Sequence, residues 1–211
     1  VRDRLGQKPL YYVRTSAGLL FASEIKSLLR HPTVPLAVDE EARDLYFSVG
    51  YVPAPWTMFD GIRKIPPAHF LLWQQGQLIV ERYWSPPLSL ERRGQHKLAA
   101  RAELREQLSI AVQERLMSDV PLGAYLSGGV DSSVVVGLMA ETLDRPVRTY
   151  AIGFDEAAGI HPKFNTDLHH AKLVAQRFGT DHCPIIMDSS VSLTELVPRL
   201  MIQIDEPLAN P

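Results

Sequence analysis

Apolar positions along the chain change their period partway through. In the first part they come as short runs separated by turn residues. Pro9-Leu10-Tyr11-Tyr12-Val13-Arg14 and Gly18-Leu19-Leu20-Phe21-Ala22, divided by Thr15-Ser16-Ala17, predict a β-hairpin. Ser23 stands as an N-cap before a short helix over Glu24 to Arg30, and Pro32 stops it. A second helix is expected from Asp39 to Ser48, with Asp39 and Glu40 favoured at its positive end. Gly50 to Trp56 holds two prolines and reads as loop. Phe70-Leu71-Leu72-Trp73 and Gln77-Leu78-Ile79-Val80-Glu81 predict another hairpin around Gln75-Gly76.

Beyond Ser85 to Gln95, a stretch rich in proline and charge, helical and extended patterns alternate. An amphipathic helix is expected from about His96 to Met117, with Leu104, Leu108, Ala111, Val112 and Leu116 on one face. A strand over Leu122 to Leu126, the turn Ser127 to Asp131 and a helix over Ser132 to Leu143 follow. Val147 to Phe154 reads as strand, Asp167 to Phe178 as helix ended by Gly179, and His182 to Met187 as strand. A last helix opens on the capping-box pattern Ser192-Leu193-Thr194-Glu195, with Pro198 early in it. Strand and helix in alternation predict a parallel sheet. The expected organisation is a sheet-rich α+β domain over 1–84, a linker over 85–95, and an α/β domain over 96–211.

Composition adds exclusions. The 211 residues are 45% hydrophobic and 22% charged, the proportions of a globular protein with room for one or two domains. A formal charge of -2 argues against a nucleic-acid or anionic-membrane coat. No apolar run nears the roughly 20 residues of a membrane helix. The single Cys183 excludes a disulfide framework or a multi-cysteine metal site, fits a reducing compartment and reads as a small buried hydrophobe. The cytoplasm is the expected location. The chain opens on Val1 without an initiator Met and closes on a loop-like stretch, so a segment of a longer protein is expected.

The chemistry concentrates in Leu126-Ser127-Gly128-Gly129-Val130-Asp131-Ser132-Ser133, after a strand and at the start of a helix. Two glycines let backbone N–H groups approach a phosphate, and the helix adds unpaired amides and its positive dipole end. Ser127, Ser132 and Ser133 add hydroxyls. A carboxylate among phosphates needs a bridging cation, which makes Asp131 a candidate Mg²⁺ ligand. The Lys of a Walker A loop and the spacing of a dinucleotide fingerprint are both missing. His169 and His170, adjoining Asp167 and His182, invite a zinc reading, but adjacent helical residues diverge by about 100°, favouring structural or solvated roles. Arg92, Arg93, His96 and Lys97 read as a solvated basic cluster, and Tyr51, Trp56 and Phe59 as loop residues packing on the core.

Ser127-Gly128-Gly129-Val130-Asp131-Ser132 resembles the pyrophosphate-binding SGGxDS loop of the N-type ATP pyrophosphatases. The run from Arg2-Asp3-Arg4-Leu5-Gly6 to Tyr12, with Phe21-Ala22-Ser23-Glu24-Ile25-Lys26, resembles the late glutaminase domain of glutamine-hydrolysing asparagine synthetases. Ile65-Pro66-Pro67-Ala68-His69, Tyr83-Trp84, Gly179-Thr180-Asp181-His182 and Asp205-Glu206-Pro207 fit the same family in order.

The resemblance implies a partial N-terminal-nucleophile amidohydrolase sheet domain followed by a partial Rossmann-like ATP pyrophosphatase domain. It implies a ligase that makes asparagine, AMP, pyrophosphate and glutamate from aspartate, ATP and glutamine. Ser127, Gly128, Gly129, Asp131 and Ser132 would bind ATP through its pyrophosphate, with Asp131 on Mg²⁺. Leu126 and Ile152 would contact AMP. Asp3 matches the acidic residue that holds the glutamine amino group, and a turn carboxylate paired with Arg2 or Arg4 is the other reading. The N-terminal nucleophilic cysteine, the SGEGxDE-type loop and a downstream lysine are missing, so this piece alone is expected to be inactive. Phe164-Asn165-Thr166-Asp167 departs from the family's Tyr-Asp-Glu and leaves the acceptor open. Another carboxylate acceptor, a β-lactam synthetase-like cyclase and a non-catalytic nucleotide-binding module are the alternatives. A homodimer also stays open.

Overall fold

The computed structural model describes residues 1–87, 97–155, 165–187 and 192–207. Most of the expected linker, Arg92, Arg93 and His96 of the basic cluster, and Phe164 lie outside the described residues. The chain divides into two compact units, Val1–Ser89 with Leu193–Pro211, and Leu90–Ser192. Together they form a mixed α/β protein with three small sheets, one of them parallel. Among the described residues no helix is long and apolar enough to cross a membrane.

In the first unit β1 (Tyr11–Thr15) and β2 (Gly18–Ala22) form the expected hairpin. Its turn is tighter than expected, because Thr15 pairs with Gly18 and only Ser16 and Ala17 form the loop. β3 (Ile62–Lys64) joins the other edge of β1, giving the order β2-β1-β3. Tyr11 and Val13 of β1, with Ile62 of β3, face a core completed by Ile25, Leu28 and Val34. β4 (His69–Gln74) and β5 (Gln77–Arg82) pair around Gln75-Gly76, both at positive φ (50° and 77°) as a two-residue hairpin turn requires. The Arg14 guanidinium stacks 5.2 Å from the Trp73 ring centroid.

Helix α2 (Glu40–Val49) is capped by Asp39, whose side chain accepts from the Ala42 N–H at 3.0 Å, and it ends on left-handed Gly50. Helix α1 (Ile25–Leu29) corrects the Ser23 cap. Its N-cap lies one residue later, at Glu24, which gives no side-chain cap. The open N–H groups of Ile25 and Lys26 donate instead to the Asp205 carboxylate, at 2.8 and 3.3 Å. Asp205 follows α6 (Leu193–Ile204), a helix that the expected 96–211 range assigns to the later domain.

The second unit holds β6 (Gly123–Tyr125), β7 (Arg148–Phe154) and β8 (Asp181–Met187), parallel in the order β6-β7-β8. Helices α3 (Lys97–Gln113), α4 (Val130–Thr142) and α5 (Thr166–Phe178) alternate with them. Along β7, Thr149 and Ala151 point inward while Ile152 points outward. One core cluster packs Leu126 and Ala151 against Val136 of α4 and Ala171 and Ala175 of α5. The other packs Val112, Leu138, Met139 and Val147. The expected stripe on α3 is only partly buried: Val112 is in the core, whereas Leu104 and Leu108 are exposed. Cys183 is exposed and is not the buried hydrophobe expected, because its register opposite Tyr150 puts it on the other face of β8 from that core.

Candidate active site

The Ser127–Ser132 loop leaves β6 and enters α4. The Leu126 N–H donates to the Tyr150 carbonyl at 2.7 Å, and the Leu126 side chain is only 1% exposed, so the loop starts from an anchored residue. Gly128 then takes φ +77°. A Cβ there would lie 2.4 Å from His170 Cβ and 2.5 Å from the Ala171 nitrogen, so only glycine lets the loop rest on α5. Gly129 is the extended N-cap of α4 and offers no side-chain cap. The helix therefore begins two residues before its expected start, which moves Asp131 from the turn into the first helical turn.

This geometry leaves a cradle of N–H and hydroxyl groups with the chemistry to hold an anion. The first-turn N–H groups of a helix have no intrahelical acceptor, and here no capping side chain takes them. Ser127 Oγ lies 3.0 Å from Ser132 Oγ and accepts from the Gly129 N–H at 3.3 Å. Ser132 and Ser133 hydroxyls donate to the Gly129 carbonyl at 3.2 and 2.7 Å. These bonds turn that carbonyl's lone pairs onto the hydroxyls, lowering its repulsion of an incoming anion. Ser127 and Asp131 are exposed, so both side chains are accessible to a ligand at the loop. Among the described residues no group of three His, Cys, Asp or Glu side chains is placed to hold a metal, so a cation at Asp131 would complete its shell with phosphate oxygens and water.

Between the carboxyl end of β6 and the middle of β7 lies a cavity of about 230 Å³ lined by Tyr125, Leu126, Ser127, Tyr150, Ala151, Ile152 and Asp167. It brings Leu126, Ser127 and Ile152 together, with Ile152 53% exposed. Gly128, Gly129, Asp131 and Ser132 continue from its Ser127 end along the loop. Asp167 is a wall residue that the sequence reading named beside a discounted zinc cluster and in the segment that leaves the acceptor open, not at the nucleotide loop, because it lies on a different helix. Its sequence signal was a carboxylate in the first turn of α5.

Asp3 belongs to the first unit. Its Oδ1 accepts from the Leu5 and Gln7 N–H groups at 3.2 and 2.9 Å, and its Oδ2 from the Lys8 N–H at 3.0 Å. The Lys8 and Gln7 bonds lead in holding the carboxyl below its ordinary range. Arg2 closes the same loop by donating to the carbonyls of Ile65 (2.6 Å), Gly6 (2.9 Å) and Lys8 (3.0 Å). Asp3 thus pairs with backbone amides, not with Arg2 or Arg4, and organises its own loop.

A parallel-sheet unit with a glycine-serine loop between strand and helix is joined in one chain to an antiparallel sheet unit, and two family models divide the chain in a similar way. The family model described as asparagine synthase matches residues 103–211, and that described as glutamine amidotransferase domain matches residues 1–84. The chain belongs to the asparagine synthase family. It is 32% identical over 96% of its length to asparagine synthetase [glutamine-hydrolyzing] 3 of Bacillus subtilis, covering 34% of that protein. It is 31% identical over 99% of its length to a putative asparagine synthetase [glutamine-hydrolyzing] 2 of Methanocaldococcus jannaschii, covering 40% of it. Amidase chry2 of Gibberella zeae is 33% identical over 75% of the chain. The chain spans about a third of the length of these relatives, from 25% to 40%.

Proposed function

We propose that the protein carrying this chain is a glutamine-dependent, ATP-consuming ligase that makes asparagine from aspartate. In this reading residues 1–84 are the C-terminal part of a class II glutamine amidotransferase domain of the N-terminal-nucleophile type, and 85–95 are a linker. Residues 96–211 begin a Rossmann-like ATP pyrophosphatase domain. The observation that supports it most is the Ser127–Ser132 cradle: uncapped amides, a glycine at φ +77° and two facing hydroxyls where a parallel strand meets its helix.

Ser127, Gly128, Gly129 and Ser132 hold the β- and γ-phosphates of ATP, and Leu126 and Ile152 flank its AMP portion. Asp131 holds Mg²⁺, which when bound offsets the charge on the phosphate oxygens. A carboxylate oxygen of the acceptor attacks the α-phosphorus, and the bond from that phosphorus to the bridging oxygen breaks. Pyrophosphate leaves with the electron pair, and its growing charge meets the loop's oriented N–H groups. Ammonia released from glutamine then attacks the acyl carbon, loses a proton and displaces AMP. Asp3 supports the glutamine half indirectly, through the loop it shapes.

The similarity to amidase chry2 favours a second reading, in which the ATP chemistry stands and the acceptor is a carboxylate other than aspartate. Incubating the intact protein with MgATP, aspartate and glutamine separates the two. Stoichiometric AMP, pyrophosphate and asparagine are expected. MgATP binding without aspartate-dependent AMP shifts the assignment to the second reading, and failure to bind MgATP overturns both. Asp131→Asn is expected to slow pyrophosphate release by about 100-fold or more.

A further inference from the structure

The cavity between the carboxyl end of β6 and the middle of β7 is apolar and aromatic on most of its wall, and beside the hydroxyls of Tyr125 and Tyr150 its polar side chains are Ser127 and Asp167. The first turn of α5, which carries Asp167, is fixed over it. Asn165 pairs with the end of β7 in both directions, its Oδ1 accepting from the Phe154 N–H at 2.9 Å and its Nδ2 donating to the Phe154 carbonyl at 2.9 Å. A Cβ on Gly153 would lie 2.7 Å from Leu168 Cδ2, so the missing side chain lets Leu168 of α5 pack directly on the strand backbone. Gly128 admits His170 in the same way. The Asp167 backbone is held from both sides, and its side chain is exposed at the cavity.

A carboxylate is repelled by polyphosphate and gains nothing from an apolar base face, but it accepts strongly from hydroxyl groups. A nucleotide whose base lies on Tyr125, Tyr150 and Ile152, and whose phosphates enter the loop at Ser127, presents its ribose hydroxyls between those ends. We propose that Asp167 is a specificity-determining residue that accepts a hydrogen bond from a ribose hydroxyl of bound ATP, so that the site selects ribonucleotides over deoxyribonucleotides. Dinucleotide-binding α/β folds use an acidic residue on the ribose in the same way. The inference rests on the ATP reading of the Ser127–Ser132 loop.

Calorimetric binding of ATP, 2′-deoxy-ATP and 3′-deoxy-ATP, each with Mg²⁺, to the intact protein tests it. The wild type should bind at least one deoxy analogue about tenfold or more weakly than ATP, the loss expected for a hydrogen bond to a charged group. Asp167→Ala should bring that ratio close to one, and Asp167→Asn, which keeps an uncharged acceptor, should fall between. Equal binding of all three nucleotides by the wild type, or an unchanged ratio in Asp167→Ala, overturns the ribose contact and leaves the ATP reading intact. A ratio that changes only for inosine triphosphate overturns it too, by placing Asp167 at the base. If the wild type binds no MgATP, the loop reading fails and this inference fails with it.

Discussion

Gly128 and Gly129 are neighbours in sequence and opposites in what they tolerate. Gly128 is at φ +77°, and an added Cβ would meet His170 Cβ at 2.4 Å and backbone nitrogen at 2.5 Å, which cannot rotate away. Gly129 has φ -69°, and its added Cβ would meet only Ser127 Oγ at 3.3 Å, a hydroxyl free to turn. Gly128→Ala is therefore expected to cost more than about 1 kcal/mol and to weaken MgATP binding at least tenfold. Gly129→Ala should cost well under half of that stability. Thermal melts with nucleotide titrations check both, and equal costs at the two positions would refute the steric argument. The cradle was legible in the sequence because its residues are contiguous and each carries a local signal. The backbone bonds of Asp3 were not, since one carboxylate has the same letter with or without the N–H groups of Leu5, Gln7 and Lys8 around it.

At the scale of elements, legibility followed the range of the forces. The helix after Asp39 and the turn at Gln75-Gly76 rest on local bonds and dihedrals, and both stood out. β3 is three residues, two of them charged, and exists only because β1 offers an edge, so no periodicity announced it. Asp39 shows how a local cap gains a distant partner: besides the Ala42 N–H, its Oδ2 accepts from Arg63 Nη1 of β3 at 2.9 Å. Burial pushes its carboxyl upward, but the Ala42 bond and the Arg63 guanidinium outweigh that and hold it below its ordinary 3.8. A depressed folded-state value means stability present above the ordinary value and lost as pH falls through the lowered one. Asp39→Ala should cost about 1 kcal/mol or more at pH 7, and the gap to wild type should narrow below about pH 4. Urea titrations across pH measure this, and a gap that stays constant into acid would refute the charge contribution.

At the scale of the whole molecule, residues from the far end of the chain complete the first unit. Asp205 caps α1 across 180 positions of sequence, and Glu206 pairs with Lys64 at 2.6 Å and accepts from the Met58 N–H at 3.2 Å. Nothing near Glu24 in sequence could have announced such a cap. Burial raises the Glu206 carboxyl above its ordinary 4.5 despite the Lys64 ammonium. The sign is opposite to that of Asp39: this contribution is full below the ordinary value and declines as pH rises through the raised one. The side chains of Lys64 and Glu206 are 15% and 12% exposed, so removing either partner strands a charge with little water to receive it. Lys64→Met and Glu206→Leu should each destabilise the first unit, and the double variant should cost less than their sum by about 1–3 kcal/mol. The three tryptophans of these 211 residues, Trp56, Trp73 and Trp84, lie within the first unit, so in the 211-residue chain their fluorescence reads its unfolding. Strict additivity in that signal would mean that the contact between Glu206 and Lys64 adds nothing to the unit. Coupling would mean that residues after β8 help stabilise the amidotransferase-like fold, and that shortening the chain before Asp205 weakens a unit whose other residues are all still present.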